Sequence, residues 1–438
     1  MGGDIVLWML GLLILLILLG THIGVALAIC SGLGVYLILG SFEAAVSILG
    51  NTAYEAVRKD VFAVIPLFVL MGDIISRSGA AADLYRICDR TMKRLPGRLA
   101  IATIAGNTVF AAVTGVSIAS AAAFSRIAYP EMVKVGYKKT FALGSVAGSA
   151  CLGMLIPPSV LLIVWAILTE MSVGALFIAG IIPGILLALL FVGYVVFAAA
   201  RNPAIAPPFK EDLVELTPQE LRSELIGGFG ILALILLVIG GIWTGFFTPT
   251  EAAGFGALGA LIVGIVKGMR WADIVAAIIQ AVRTTAPIMF LLITASMYSR
   301  LLAIGGAVNF IQGMFLGAGL EPWQIIALMI VIWLILGMLV DSVSIILLTV
   351  PIFAPIAIAL GIDPIAFAIF GILVIEAGLL TPPFGLLVYT VKGSVPDREA
   401  TLGMIFKGST PYFLLILVAA MIVLWIPSLA TWLPRLMF

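Results

Sequence analysis

The chain has 438 residues, 63% hydrophobic and 10% charged, with a mean hydropathy of +1.26; soluble domains carry about a quarter charged residues, so a multi-pass membrane protein is expected and a soluble domain is excluded. A net charge of +1 without basic tracts interleaved with aromatics sets nucleic-acid binding aside. His22 is the single histidine, and Cys30, Cys88 and Cys151 lack ligand spacing; this leaves no zinc site or histidine-based dyad and makes the cysteines small packing residues.

Asp4 lies near the start without a basic stretch or a small-residue cleavage site, so residues 5–20 read as a retained span, long enough with their flanks for a core of about 30 Å. Residues 42–60 are amphipathic and are expected along the membrane interface, before a third span that holds Asp73 and Arg77 four apart, a spacing that predicts an ion pair. Six basic residues then cluster at 77–98 (Arg77, Arg86, Arg90, Lys93, Arg94 and Arg98), and three each at 134–139, 201–222, 267–283 and 392–407. That places eighteen of the 23 Lys and Arg residues on one side, which the positive-inside rule makes cytoplasmic.

Residues 99–132 are flanked by two of these clusters, so they enter from the cytoplasm and return. Thr114-Gly115-Val116-Ser117 is the turn of this re-entrant hairpin, and Arg126 on its second arm reads as snorkelling outward, the alternative being attraction of an anion leaving inward. Residues 140–168 form a span broken at Ile156-Pro157-Pro158-Ser159, because proline removes a backbone donor and clashes with the preceding turn. Polar groups freed in this way must be buried in protein or line a cavity. A further span leads to a proline-containing cytoplasmic linker at 201–225, with Pro203, Pro207, Pro208 and Pro218.

The second half, 226–438, repeats this order. Thr248-Pro249-Thr250-Glu251 is a capping box opening a span, and residues 269–283 form a second amphipathic stretch. Residues 323–360 are a second hairpin broken near Asp341-Ser342, and residues 363–391 are a second broken span around Thr381-Pro382-Pro383-Phe384. The flanks of this hairpin, 303–322 and 361–364, contain no Lys or Arg, so it enters from the opposite face. Pro66 with Pro287, Ser117 with Ser344, Pro130 with Pro355, and the two Pro-Pro pairs match at offsets of 221, 227, 225 and 225. Each half, 1–200 and 226–438, thus holds about five spans plus one hairpin. An odd number of crossings inverts the second repeat relative to the first and puts both termini in the periplasm.

Four breaks are expected to converge near the midplane: the tips at 115–117 and 341–344 and the breaks at 153–159 and 378–385. Half-helix C-termini offer carbonyls to a small cation and N-termini attract an anion, an arrangement suited to Na+ beside a carboxylate. Thr114, Ser117, Ser120, Ser149, Ser159, Ser342, Ser344 and Thr381 add neutral oxygens. Asp341 is the sharpest residue, since an acid deep in the membrane marks an ion path; the alternative role is capping the second arm. Glu376 reads as paired with a neighbour, the alternatives being a second polar contact or a proton acceptor.

Five stretches carry a family resemblance: Pro66-Leu67-Phe68-Val69-Leu70-Met71-Gly72, Gly153-Met154-Leu155-Ile156-Pro157-Pro158-Ser159, Phe247-Thr248-Pro249-Thr250-Glu251-Ala252-Ala253, Gly337-Met338-Leu339-Val340-Asp341 and Gly378-Leu379-Leu380-Thr381-Pro382-Pro383-Phe384-Gly385. In these the chain resembles the large membrane subunit of tripartite ATP-independent periplasmic (TRAP) transporters, the DctM-like permeases of the ion transporter superfamily. The resemblance implies an elevator-type Na+ symporter of the bacterial inner membrane, with a small DctQ-like membrane subunit. It also implies a DctP-like periplasmic protein that delivers an organic acid, such as a C4-dicarboxylate or sialic acid. By resemblance, Na+ lies between Gly115 or Ser117 and Ser149, Gly153 or Pro157, and again between Gly337, Asp341 or Ser342 and Gly378, Thr381 or Pro382. Substrate falls between them, toward Thr114, Ser120, Pro158, Ser159, Ser344, Pro383 and Phe384. The first tip departs from the family's usual Ser-Gly-Ser-Ser followed by an acid. A stand-alone Na+/anion symporter is the alternative. An intramembrane hydrolase is disfavoured because no Gly-x-Ser-x-Gly motif or zinc-binding His pair is present, and ATP-driven transport because no phosphate-binding loop is. An enzyme activity and an organic cofactor are therefore not expected.

Overall fold

Turn glycines and capping side chains decide where the apolar helices of this chain start and stop. The computed structural model describes residues 2–92, 94–207, 217–307, 310, 313 and 319–437, and among them there is helix and turn but no strand. Gly2–Leu18 is followed by Ile23–Leu39, whose first turn is capped by His22 Nδ1 accepting from the Gly24 amide, and by the amphipathic Phe42–Arg58, capped by Ser41. Val64–Arg77 bends by 68° into Ala80–Thr91 at Ser78-Gly79.

Seven helices among the described residues are long and apolar enough to cross a membrane, or eight if the bent pair counts as one span. That number differs from ten crossings because each arm of the 323–360 stretch is 18 residues long and is counted, whereas Gly2–Leu18, Ile23–Leu39 and each half of a broken helix are too short to qualify. The chain is a multi-pass all-α membrane protein.

Three expectations change. The second amphipathic stretch, 269–283, is the start of one continuous 34-residue helix, Trp271–Ile304; Pro287 lies inside it without ending it. The helix after the linker begins at Pro218, within the expected 201–225 segment, because proline fits a first turn whose amides lack partners anyway. Asp73 and Arg77 form no contact ion pair among the described residues: Asp73 Oδ2 is buried without a hydrogen-bond partner, and the exposed Arg77 acts on it only electrostatically, from a distance. Lys93, Pro208 and Lys210 lie outside the described residues. The capping box is formed, with Glu251 Oε2 accepting from the Thr248 amide at 2.8 Å and Thr248 Oγ1 from the Glu251 amide at 3.3 Å.

Close approach of small residues holds the interior. Lys139–Ala150 lies so near Leu402–Trp425 that a Cβ on Gly144 would meet the Gly408 carbonyl oxygen at 2.1 Å. Small-residue contacts of this kind substitute for the hydrophobic effect, which lipid does not supply between helices. At the opposite pole Trp165, Trp333, Phe353, Phe367 and Phe370 form one buried aromatic cluster, with Trp333 Nε1 donating to Thr349 Oγ1 at 2.8 Å.

Candidate functional site at the hairpin tips

Residues 98–134 form two antiparallel helices, Arg98–Thr114 and Ser117–Lys134, joined by Gly115 and an extended Val116. Gly115 adopts φ 61°, which a side chain would strain, and its missing Cβ leaves room for the Pro158 carbonyl oxygen 2.4 Å from where that atom would be. The arms stay in contact through Phe110 and Phe124, whose rings are 5.8 Å apart edge to face. Pro322–Leu339 and Ser342–Ala359 form the second pair around Val340 and Asp341. Asp341 caps its second arm: Oδ1 accepts from the Ser344 amide at 3.0 Å and Oδ2 from the Ser344 hydroxyl at 2.5 Å.

The proline pairs interrupt two further helices. Lys139–Ala150 passes through a 3-10 turn, Cys151–Met154, and resumes as Val160–Thr169; Pro364–Gly378 resumes as Leu386–Ser394. Both Pro-Pro bonds are cis. Ser159 donates to the Met154 carbonyl and caps Leu162, and the Thr381 hydroxyl donates to the Gly378 carbonyl at 2.6 Å.

These four breaks touch one another. The Val160 amide donates to the Gly115 carbonyl at 3.2 Å, and Gly153 packs on the Ser117 backbone. Gly337 and Gly378 meet backbone to backbone, with a Cβ on Gly337 only 2.6 Å from the Gly378 Cα. One buried carboxylate joins everything: the Ser117 hydroxyl donates to Glu376 Oε2 at 2.6 Å and the Ser342 hydroxyl donates to Oε1 at 2.8 Å. The Glu376 carbonyl also receives the Cys151 thiol at 3.8 Å. Ser117 and Ser342, like Cys151 and Glu376, stand 225 residues apart, the interval of the proline pairs.

Other anticipated residues lie around this bridge rather than in it. Thr114 donates to the Phe110 carbonyl at 3.1 Å, and Ser149 sits behind the first tip, donating to the Ser145 carbonyl and accepting from Asn107 Nδ2 at 2.7 Å. Ser120 Oγ is buried without a partner among the described residues. Pro157, Pro158 and Ser159 are buried, whereas Pro382, Pro383 and Phe384 are exposed, so the two breaks are not equivalent in their access to the outside. No group of three or more His, Cys, Asp or Glu residues suited to a metal occurs among the described residues. Sequence reasoning left Glu376 without an assigned role. Its signal was a lone acid within the apolar run of Pro364–Gly378, but nothing local shows that its partners come from two distant tips.

A second polar knot lies around Asp397. Asp397 Oδ2 accepts from Tyr129 at 2.6 Å and from Lys139 Nζ at 2.8 Å, and Lys139 also reaches Glu399 at 2.7 Å. The Lys139 ammonium and the Tyr129 hydroxyl beside it hold the Asp397 carboxyl down at about 2. The knot thereby ties the second arm of the first hairpin and the start of the first broken helix to the segment that follows the second broken helix.

Hairpins and proline-broken helices that meet at a buried polar centre in an all-helical membrane protein define a secondary transporter. The family model for the tripartite ATP-independent periplasmic transporter, DctM component, matches residues 10–429, and the chain belongs to that family. Its large permeases work with a small membrane subunit and a periplasmic binding protein. The C4-dicarboxylate TRAP transporter large permease protein DctM of Pseudomonas aeruginosa is 34% identical over 384 residues, covering 87% of this chain and 88% of that one. The ectoine/5-hydroxyectoine TRAP transporter large permease protein UehC of Ruegeria pomeroyi is 28% identical over 428 residues, 97% and 98% of the two chains. Among solved structures, the Alcanivorax borkumensis YdaH transporter matches with a TM-score of 0.64 over 88% of this chain and 89% of that one, at 14% identity, a likeness of fold alone.

Proposed function

We propose that this chain is the permease of a Na+-coupled importer that takes an organic acid from a periplasmic binding protein and carries it across the bacterial inner membrane by an elevator movement. The observation that carries this reading is the Ser117–Glu376–Ser342 bridge, which brings both hairpin tips and both broken helices to one buried centre. Two inverted repeats, 1–200 and 226–438, meet there, and both termini face the periplasm. Carbonyls around Gly115, Gly153, Gly337 and Gly378, with the Ser117 and Ser342 hydroxyls, supply neutral oxygens for Na+. The amides that open Ser117–Lys134 have no side-chain cap and attract the carboxylate of the substrate, whereas Asp341 already caps the start of Ser342–Ala359. Relatives named for C4-dicarboxylates and for ectoine support a small carboxylate-bearing solute as the class.

The hairpins and broken helices are the moving unit. Gly2–Leu18, Ile23–Leu39, Phe42–Arg58 and Trp271–Ile304 are the scaffold against which it slides, with the small membrane subunit packed on that scaffold. A cleft of about 530 Å³, lined by Thr52, Lys59, Glu170, Ser299 and Arg300, separates the two.

The test is uptake by proteoliposomes that hold the chain with its small subunit and are supplied with the cognate binding protein. An acidic solute enters only under an inward Na+ gradient; uptake undiminished when K+ replaces Na+ sinks the coupling.

A further inference from the structure

Ser117 and Ser342 open the second arms of the two hairpins, one on each side of Glu376. A hydroxyl has one proton to donate and two lone pairs, whereas a carboxylate only accepts. With Glu376 ionised, the bonds at 2.6 and 2.8 Å direct both serine protons toward it and leave the lone pairs of both oxygens turned away from it. All three residues are buried, with Glu376 only 2% exposed, so no water competes for these bonds. The Cys151 contact to the Glu376 carbonyl and the Gly337–Gly378 backbone contact hold this stretch of helix in place from two sides.

We infer that Glu376 is a positioning residue that orients the Ser117 and Ser342 hydroxyls as ligands for a monovalent cation at each tip, and so links the two cation sites to each other. This rests on the Na+-coupled reading above. Ordering one tip fixes Glu376 and thereby pre-orders the other, which makes cation binding cooperative. The geometry also explains why one acid serves both repeats: its twin position, 225 residues earlier, is Cys151, which meets the same helix through its thiol instead.

Glutamine is nearly the same shape but offers one acceptor oxygen and one amide donor. In Glu376→Gln only one serine keeps its orientation, and the other hydroxyl must accept and turn its proton toward the cation. The experiment measures the apparent melting temperature of the purified full-length chain in detergent, titrated with Na+ against a K+ background. Wild type is stabilised with a Hill coefficient above 1. Glu376→Gln, still folded in K+, shows a coefficient near 1 and a midpoint raised by about tenfold, the scale of an altered charged hydrogen bond. In a Ser117→Ala, Ser342→Ala background the same glutamine adds little further shift, because the residue acts through those hydroxyls.

A wild-type midpoint and Hill coefficient in Glu376→Gln overturn the inference. So does an equal further shift in the serine-less background, which makes Glu376 act on the cation independently. Should the glutamine variant not fold, Ser117→Ala and Ser342→Ala alone decide: each raises the midpoint and lowers the coefficient, and no change in either refutes the linkage. A wild-type chain that melts alike in Na+ and K+ overturns the coupling reading itself, an outcome distinct from all of these.

Discussion

Asp341 and Asp397 show how one residue type serves different ends in this protein. Asp341 closes on its own helix through Ser344, so its side chain is occupied as a cap. Asp397 instead gathers Tyr129 and Lys139 from two other elements, which depresses its carboxyl to about 2, against about 3.9 for an unfolded aspartate. A carboxyl depressed on folding contributes stability that is full above the unfolded value and disappears as pH falls through the folded one. The difference in melting temperature between wild type and Asp397→Asn should therefore be constant above about pH 4–5 and vanish as pH approaches about 2. A difference that persists unchanged at pH 2 would show that the variant acts by packing instead of charge.

Among the elements, the tightest contact is between Lys139–Ala150 and Leu402–Trp425, where Gly144 and Gly408 let two backbones touch. Gly144→Ala forces a methyl into the Gly408 carbonyl and is expected to cost about 1–3 kcal/mol by overpacking, read as a lower melting temperature in detergent. Gly254→Ala, in Pro249–Val266 with nothing within 4 Å of its added Cβ, is the matched control and is expected to be neutral or slightly stabilising. Equal losses in both would remove close approach as the explanation. The breaks at Pro157 and Pro382 were legible from the prolines alone, and the hairpin turns from Gly115 and Asp341. The continuity of Trp271–Ile304 was not, because Pro287 lies where neighbouring helices can accommodate a bend, and an amphipathic start resembles a separate interfacial helix.

For the molecule as a whole, the proposed elevator movement predicts that the moving unit shifts against its scaffold. Lys59, after the scaffold helix Phe42–Arg58, and Glu170, at the end of Val160–Thr169, face each other across that boundary with Nζ 3.8 Å from Oε1. Both are exposed and the ion pair contributes little stability, so they can be exchanged for cysteines. Cys30, Cys88 and Cys151 are buried, so a short bismaleimide should react at Lys59→Cys and Glu170→Cys and arrest uptake. Full transport by the cross-linked pair would refute relative motion at this boundary.

By itself the sequence determined the bilayer as solvent, the helix breaks at half-length spacing and the family. Composition, proline chemistry and the charge of the loops act locally and leave their mark on consecutive residues. Only the tertiary structure decided that Glu376 joins Ser117 to Ser342, that Asp73 Oδ2 is buried without a hydrogen bond and that Pro382-Pro383-Phe384 is exposed while Pro157-Pro158-Ser159 is buried. Those outcomes depend on which distant helices lie side by side. A buried carboxylate takes whatever donors packing brings within 3 Å, and here they come from residues 259 and 34 positions away.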